Sequence, residues 1–300
     1  MTIGFIGLGH MGGPMARNLL AAGYPVVVHD VRREAADELV GLGAKWAGSA
    51  FDTAEPADVL ITMLPGPRQV ESVMADCVGV MRPGSTWIDM STSTPEAARR
   101  AGAALDLRGV HRLDAPVSGM AKGAAAGMLQ IFVGGAEETY IAQRPVLEAM
   151  GDPQRIFYVG GHGTGYTTKL AINLLWFMHL VATAEVLTLG VKGGVDLNVL
   201  RTALVASPAN SNFLENDIRS VLENGDYDES FAMALACKDL GLAVDLGRDV
   251  GLPVEVSALV EQVYRRAKAI YGDASGEMIP VRLYEDIAKV QLRLGGVGAH

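Results

Sequence analysis

Apolar residues in the first half of the chain come in short runs, Ile3 to Gly7, Val26 to Asp30, Val59 to Met63, Thr86 to Met90 and Arg112 to Pro116. Between them lie stretches with helical spacing, among them Met11 to Ala22 and Pro95 to Leu107. Near-continuous apolar runs suit strands buried on both faces, and helical connections of this length lead to right-handed crossovers. The pattern predicts a doubly wound, mainly parallel sheet occupying residues 1–162.

Beyond about residue 160 the strand signal stops. Long helical patterns follow, over Tyr166 to Lys192, Asn198 to Val205, Phe213 to Glu223, Met233 to Val250, Glu255 to Tyr271 and Pro280 to Leu292. Turn chemistry separates them at Gly193-Gly194, Asn224-Gly225-Asp226 and Gly251-Leu252-Pro253. Residues 163–300 therefore read as an all-α domain. Its first helix is apolar on nearly all sides, with Leu174, Leu175, Trp176, Phe177, Met178, Leu180 and Val181 in sequence, so it is expected to be surrounded by other protein. His179, Thr183, Glu185 and Thr188 interrupt the segment and make it a poor bilayer span.

Charge and composition narrow the classes. Lys and Arg number 25 against 34 Asp and Glu, a formal net charge of −9, and no basic run exceeds two residues. Backbone binding to nucleic acid needs clustered cations, so that class is excluded. Hydrophobic residues at 49% and charged residues at 20% describe a chain that collapses rather than one that stays disordered. Cys77 and Cys237 stand far apart, and the six histidines form no HxxxH pair, so neither a disulfide framework nor a metal site is expected. The start, MTIGFIGLGHMGG, lacks a basic region ahead of its apolar run; a cytoplasmic protein is expected.

Candidate chemistry begins at Gly7-Leu8-Gly9-His10-Met11-Gly12, a GxGxxG that follows a strand and opens a helix. The first glycine allows the tight turn, the second lets a diphosphate approach the backbone, and the third lets helix and strand pack closely. Phosphates would then meet the unpaired N–H groups of the helix N-terminus. Asp30 closes the second strand, where a carboxylate accepts hydrogen bonds from an adenosine ribose. An acid there favours NAD over NADP, because a 2′-phosphate would meet like charge; Arg32 and Arg33, turned inward, would weaken that preference. The fold class is thus α/β, a Rossmann-type parallel sheet followed by an all-α C-terminal domain.

Lys169 and Asn173 are four residues apart on one face of the helix opened by Gly163 and Gly165. A lysine there could exchange a proton with an alcohol while the amide orients the same oxygen. Free lysine titrates near ~10.4, but desolvation and the positive helix end both lower that value. Spacing alone favours an exposed lysine and an incidental asparagine.

FIGLGHMGGPMARNLL, MLP at Met63 to Pro65, DMSTSTP, LDAPVSG, GTGYTTKLAIN and CKDLGLA occur in this order and at these separations. Together they resemble the β-hydroxyacid dehydrogenases, the group containing 3-hydroxyisobutyrate dehydrogenase, tartronate semialdehyde reductase and related serine-oxidising enzymes, from Ile3 to about Leu292. The resemblance implies Lys169 as catalytic acid/base, with Asn173 at the substrate oxygen. It implies Ser118 and Gly119 as donors to the substrate carboxylate, with Met120 and Phe231 also on the substrate side. Leu64, Pro65 and Thr92 would line the nicotinamide side of the cleft, and Lys238, with Asp239 beside it, would reach the cofactor. Two positions depart from the family pattern: Met120 replaces a common second glycine, and Ile172 replaces a common asparagine.

The activity implied is hydride transfer between NAD, or NADP, and a small β-hydroxy acid, 3-hydroxyisobutyrate or a close relative. No nucleic-acid or membrane partner is implied, and a homodimer or homotetramer is expected. Imine reductases are an alternative but usually lack lysine at the catalytic position. Tartronate semialdehyde or serine dehydrogenases are a second, and a dinucleotide-binding module without turnover is a third, opposed by an intact Lys169, Asn173 and Ser118.

Overall fold

Each apolar run of the first half becomes a strand of one sheet, in a computed structural model that describes residues 1–228 and 231–294. The chain divides into two compact units, Met1–Lys169 and Leu170–His300.

In the first unit the elements run β1 (Ile3–Ile6), α1 (Gly12–Ala21), β2 (Val26–His29), α2 (Asp37–Gly41), β3 (Lys45–Trp46), α3 (Ala50–Ala54), β4 (Val59–Thr62) and α4 (Pro67–Cys77). They continue with β5 (Thr86–Asp89), α5 (Pro95–Asp106), β6 (His111–Asp114), β7 (Val117–Ser118), α6 (Met120–Ala126), β8 (Leu129–Gly135), α7 (Glu137–Glu148) and β9 (Gly151–Gly160). The strand order is β3-β2-β1-β4-β5-β6-β8-β7, with β9 on β8. Strands β1 to β6 pair in parallel, whereas β8 is antiparallel to β6 and β7. The order reverses between β1 and β4, which puts a crevice at their C-terminal ends.

Alternation along each strand distributes side chains between two cores. Phe5, Val28, Ile61 and Ile88 pack on one face with Met15, Leu19, Leu39 and Val146. Ile6, Leu60 and Trp87 pack on the other with Ala54, Val70, Met74 and Leu105. The sequence pattern did not pick out β3, β7, β8 and β9. Two of these are two-residue strands, and β9 carries Asp152, Pro153, Gln154 and Arg155, polar or helix-breaking positions that break the apolar run.

The second unit is helical. It contains most of α8 (Thr164–Lys192), then α9 (Leu197–Val205), a π-helical turn (Phe213–Asp217), α10 (Arg219–Asn224), α11 (Met233–Asp249), α12 (Glu255–Tyr271) and α13 (Ile279–Ala288). Gly225 closes α10 in the left-handed conformation, as the Asn-Gly pair predicts. The last helix is shorter than its apolar pattern: Lys289 adopts φ 57° and stops it, while Leu292 is buried beyond the end. Among the described residues, helix α8 is covered on one side only. Phe177, Leu180, Ala184 and Leu187 are buried in the helical core, but Leu175, Val186 and Leu189 stand exposed.

Candidate active site

Chain geometry makes the GxGxxG turn. Gly7 has φ 97°, and a Cβ built on it would fall 2.2 Å from the Met63 carbonyl oxygen. A Cβ on Gly12 would lie 1.8 Å from the Gly7 oxygen, so any side chain there would separate α1 from β1. Gly9 has nothing within 4 Å of its Cβ direction. That open position, next to a helix start that no side chain caps, fits the approach of a diphosphate. Leu8, His10 and Met11 complete the turn, with His10 exposed.

Asp30 stands one residue past β2. Its Oδ2 accepts from the Leu8 N–H at 2.7 Å and its Oδ1 from the Arg32 N–H at 2.9 Å. The carboxylate thus braces the glycine turn as well as ending the strand, a role that spacing did not indicate. Arg33 is turned toward Asp37 at 2.7 Å and lies over the Trp46 ring at 4.7 Å. The Arg32 side chain is mostly exposed, with Nε 3.9 Å from Asp30.

At the ends of the next strands stand Leu64 and Pro65 after β4, Thr92 after β5, and Ser118 and Gly119 at the end of β7. The Leu64 N–H donates to Ser91 Oγ at 2.9 Å, and Ser91 Oγ donates to Asp89 Oδ1 at 2.6 Å. Thr62 Oγ1 donates to the same Oδ1 at 2.8 Å and accepts from Trp87 Nε1 at 3.0 Å. The other oxygen, Asp89 Oδ2, accepts from the Tyr166 hydroxyl at 2.5 Å. Burial pushes the Asp89 carboxyl above the usual carboxylate range, opposed by the bonds from Ser91, Tyr166 and Thr62. Burial, reinforced by the charges of Asp89 and Asp114, raises the Tyr166 phenol well above its ordinary value, so it acts as a donor.

A second buried carboxylate, Asp114 at the end of β6, receives the start of α8. Its Oδ1 accepts from the Gly163 N–H at 2.8 Å, and its Oδ2 from the N–H groups of Gly165 at 2.8 Å and Tyr166 at 3.3 Å. A Cβ on Gly165 would lie 2.4 Å from the Asp114 carbonyl oxygen, so only glycine permits this approach. Burial lifts the Asp114 carboxyl to about 6 despite these three donors. Lys169, half-buried, follows one turn later on the same helix.

Met120 opens α6 with φ 55° and is 43% exposed. Its side chain is therefore outside the core, and its backbone adopts a conformation in which glycine is unstrained.

In the second unit, Asp239 is buried and joins two of the expected residues. Its Oδ2 accepts from Asn173 Nδ2 at 2.8 Å, and its Oδ1 pairs with Lys238 Nζ at 2.8 Å. Lys238-Asp239 is thus no simple surface pair, since one partner is buried and shared with Asn173. Phe231 packs against the helical core. Asn210 and Ser211 line a groove of about 180 Å³ with His179, Thr183 and Val186. His179 is six residues past Asn173, about 9 Å along the helix.

The C-terminal ends of β1, β2, β4 and β5 therefore gather the glycine turn, Asp30, Leu64, Pro65 and Thr92. Asn173 and Lys238 meet through Asp239. Sequence reasoning missed the roles of Asp89, Ser91, Asp114 and Tyr166, although all four lie inside the motifs DMSTSTP, LDAPVSG and GTGYTTK. Among the described residues no His, Cys, Asp and Glu cluster could hold a metal ion.

Residues 2–160 match the NAD binding domain of 6-phosphogluconate dehydrogenase, and residues 163–284 match the family described as NAD-binding of NADP-dependent 3-hydroxyisobutyrate dehydrogenase. The chain is 41% identical over 272 residues to an NAD-dependent L-serine dehydrogenase of Pseudomonas aeruginosa, covering 88% of this chain and 91% of that one. It is 40% identical over 272 residues to a 3-hydroxyisobutyrate dehydrogenase of the same organism, covering 87% and 90%. A solved structure of Mycobacterium tuberculosis 3-hydroxyisobutyrate dehydrogenase with L-serine superposes with a TM-score of 0.88 at 33% identity, over 94% of this chain and 98% of that one. With a dinucleotide turn at one end of the sheet and both halves matched in order, the chain belongs to the 3-hydroxyisobutyrate dehydrogenase-like family of β-hydroxyacid dehydrogenases.

Proposed function

We propose that this protein is a cytoplasmic dehydrogenase that moves a hydride between NAD and the hydroxyl-bearing carbon of a small β-hydroxy acid of the 3-hydroxyisobutyrate type. NADP is accepted less well. The observation that carries the reading is the placement of Lys169 one turn beyond a helix start that Asp114 and Asp89 tie to the ends of β6 and β5, with Asp89 also joined through Ser91 to the Leu64 loop. NAD, when bound, supplies the hydride acceptor, and the residues of the chain do the rest. Gly7 to Gly12 and Asp30 hold the dinucleotide; Leu64, Pro65 and Thr92 shape its nicotinamide side, and Lys238 is a further cofactor residue.

During oxidation Lys169 takes the hydroxyl proton, and during reduction it returns it. Asn173 orients the same oxygen; Asp239 engages its amide nitrogen, leaving that group's second N–H for substrate. Ser118 and the backbone at Gly119 bind the substrate carboxylate through charge-assisted hydrogen bonds, which makes the acid group necessary. L-Serine is the second substrate to test, since one relative at 41% identity is an L-serine dehydrogenase. We further propose a homodimer or homotetramer, because α8 leaves an apolar stripe exposed.

Hydroxy acids screened with NAD at alkaline pH test the reading. Lys169→Ala is expected to lower kcat by ~10²- to 10⁴-fold, to remove the ascending limb of the pH profile for oxidation, and to leave NADH affinity within a few-fold. Near-parental kcat in that variant removes Lys169 from the mechanism.

A further inference from the structure

Asp89 is fully buried, and every side chain bonded to it donates: Thr62 and Ser91 to Oδ1, Tyr166 to Oδ2. The two oxygens serve different parts of the site. Through Ser91 Oγ, Oδ1 is connected to the Leu64 N–H, and so to the loop assigned to the nicotinamide side. Through the Tyr166 hydroxyl, Oδ2 is connected to the first turn of α8, three residues before Lys169. Neither link is loose. Ser91 is buried with its hydroxyl both accepting and donating, and Tyr166 is 1% exposed with its N–H held by Asp114.

We propose that Asp89 and Tyr166 are positioning residues which hold the Leu64 loop and the Lys169 helix in fixed register, so that one carboxylate aligns the hydride side and the proton side of the reaction. The inference rests on the assignment of Lys169 as acid/base. Alignment is what such a tie affects most: reacting groups must sit near attack geometry, and a displacement of about 1 Å can cost ~10²-fold in rate. Asp89 itself touches neither substrate nor cofactor in this role. Asp114 fixes where α8 begins, while the Tyr166–Asp89 bond fixes its rotation about its own axis, which determines where the Lys169 side chain points. Asp89 is thus distinct from a helix cap, since it bonds the Tyr166 side chain, whereas Asp114 bonds the N–H groups of Gly163, Gly165 and Tyr166.

Tyr166→Phe removes one hydroxyl and keeps the buried ring. In the parent background it is expected to lower kcat about tenfold with L-serine or 3-hydroxyisobutyrate, whichever turns over faster, with KM and NADH Kd each within about twofold. In the Lys169→Ala background the same change is expected to lower the residual kcat by less than twofold, because the bond acts through Lys169. A general structural role would reduce both backgrounds equally, and that result overturns the proposal, as does parental kcat in Tyr166→Phe. Ser91→Ala tests the other limb by a binding measurement: NADH Kd, read by fluorescence, is expected to rise several-fold, and an unchanged Kd overturns the link to the Leu64 loop. Thermal midpoints of each variant identify any that fold poorly, and Asp89→Asn then replaces them, with the same expected pattern in kcat. If Lys169→Ala turns over like the parent, the acid/base assignment fails by itself, while the Ser91→Ala binding result still decides the Leu64 limb.

Discussion

At Met120 the backbone and the chemistry make opposing demands. Its φ of 55° costs an L-residue about 1–2 kcal/mol in the left-handed region, and glycine, the common family residue, has no such cost. Glycine in turn loses about 0.5–1 kcal/mol through the freedom it has when unfolded, so Met120→Gly is expected to stabilise the protein by about 0.5–1 kcal/mol in urea titrations. Because the side chain is exposed directly after the Ser118-Gly119 pair, it is available as an apolar wall to the substrate. The same variant is therefore expected to lower kcat/KM for 3-hydroxyisobutyrate relative to L-serine; an unchanged ratio removes Met120 from substrate selection. Asp30 sets a second preference. A carboxylate already committed to the Leu8 and Arg32 N–H groups cannot turn away from a 2′-phosphate. NAD is expected to exceed NADP in kcat/KM by about tenfold to a hundredfold, a difference of about 1–3 kcal/mol. Equal rates would show that the exposed Arg32 outweighs the acid.

Among the elements, α8 depends on a charge brought from another strand. Asp114 normally titrates at 3.8 but in the fold at about 6, chiefly because burial disfavours its charge. Between those values the folded chain retains a proton that the unfolded chain has released, so stability falls as pH rises through that window, by about 3 kcal/mol in total. Asp114→Asn cannot titrate. The stability of the parent relative to this variant, from urea midpoints, is thus expected to decline between about pH 4 and pH 7, and a constant difference refutes the shift. Nothing in the sequence disclosed this. Ile3 to Gly7 and Val59 to Met63 announce strands because they are apolar throughout, and Gly7, Gly12 and Asp30 announce a turn because their spacing is local. Asp89 and Tyr166 are separated by 77 residues, and a carboxylate that points inward has the same letter as one that points to water. Likewise β9 was hidden because Asp152 to Arg155 interrupt its apolar run, and α13 stops at Lys289, a residue with no helix-ending signature.

For the whole molecule, the open question raised by the fold is what covers α8. Its most apolar window is only 33% buried, and Leu175 at 54%, Val186 at 43% and Leu189 at 70% exposure fall on one side of the helix. Ala171 and Ala182 are exposed on the same stripe, which follows from steps of four, seven, four and three residues at 3.6 per turn. The opposite side, through Phe177, Leu180, Ala184 and Leu187, is already committed to the helical core. Glu185, which accepts from the Tyr284 hydroxyl at 3.0 Å, lies at the edge of the stripe and makes a lipid environment unfavourable. A stripe of this kind is instead suited to self-association, in which the same face of two copies meets across a twofold axis. The parent is expected to sediment as a dimer or tetramer at micromolar concentration. Leu189→Asp places a charge on the most exposed leucine of the stripe without disturbing any buried residue, so it is expected to shift the protein to monomer while its far-ultraviolet circular dichroism is unchanged. A parent that sediments as a monomer, or a variant that stays assembled, excludes α8 as the interface.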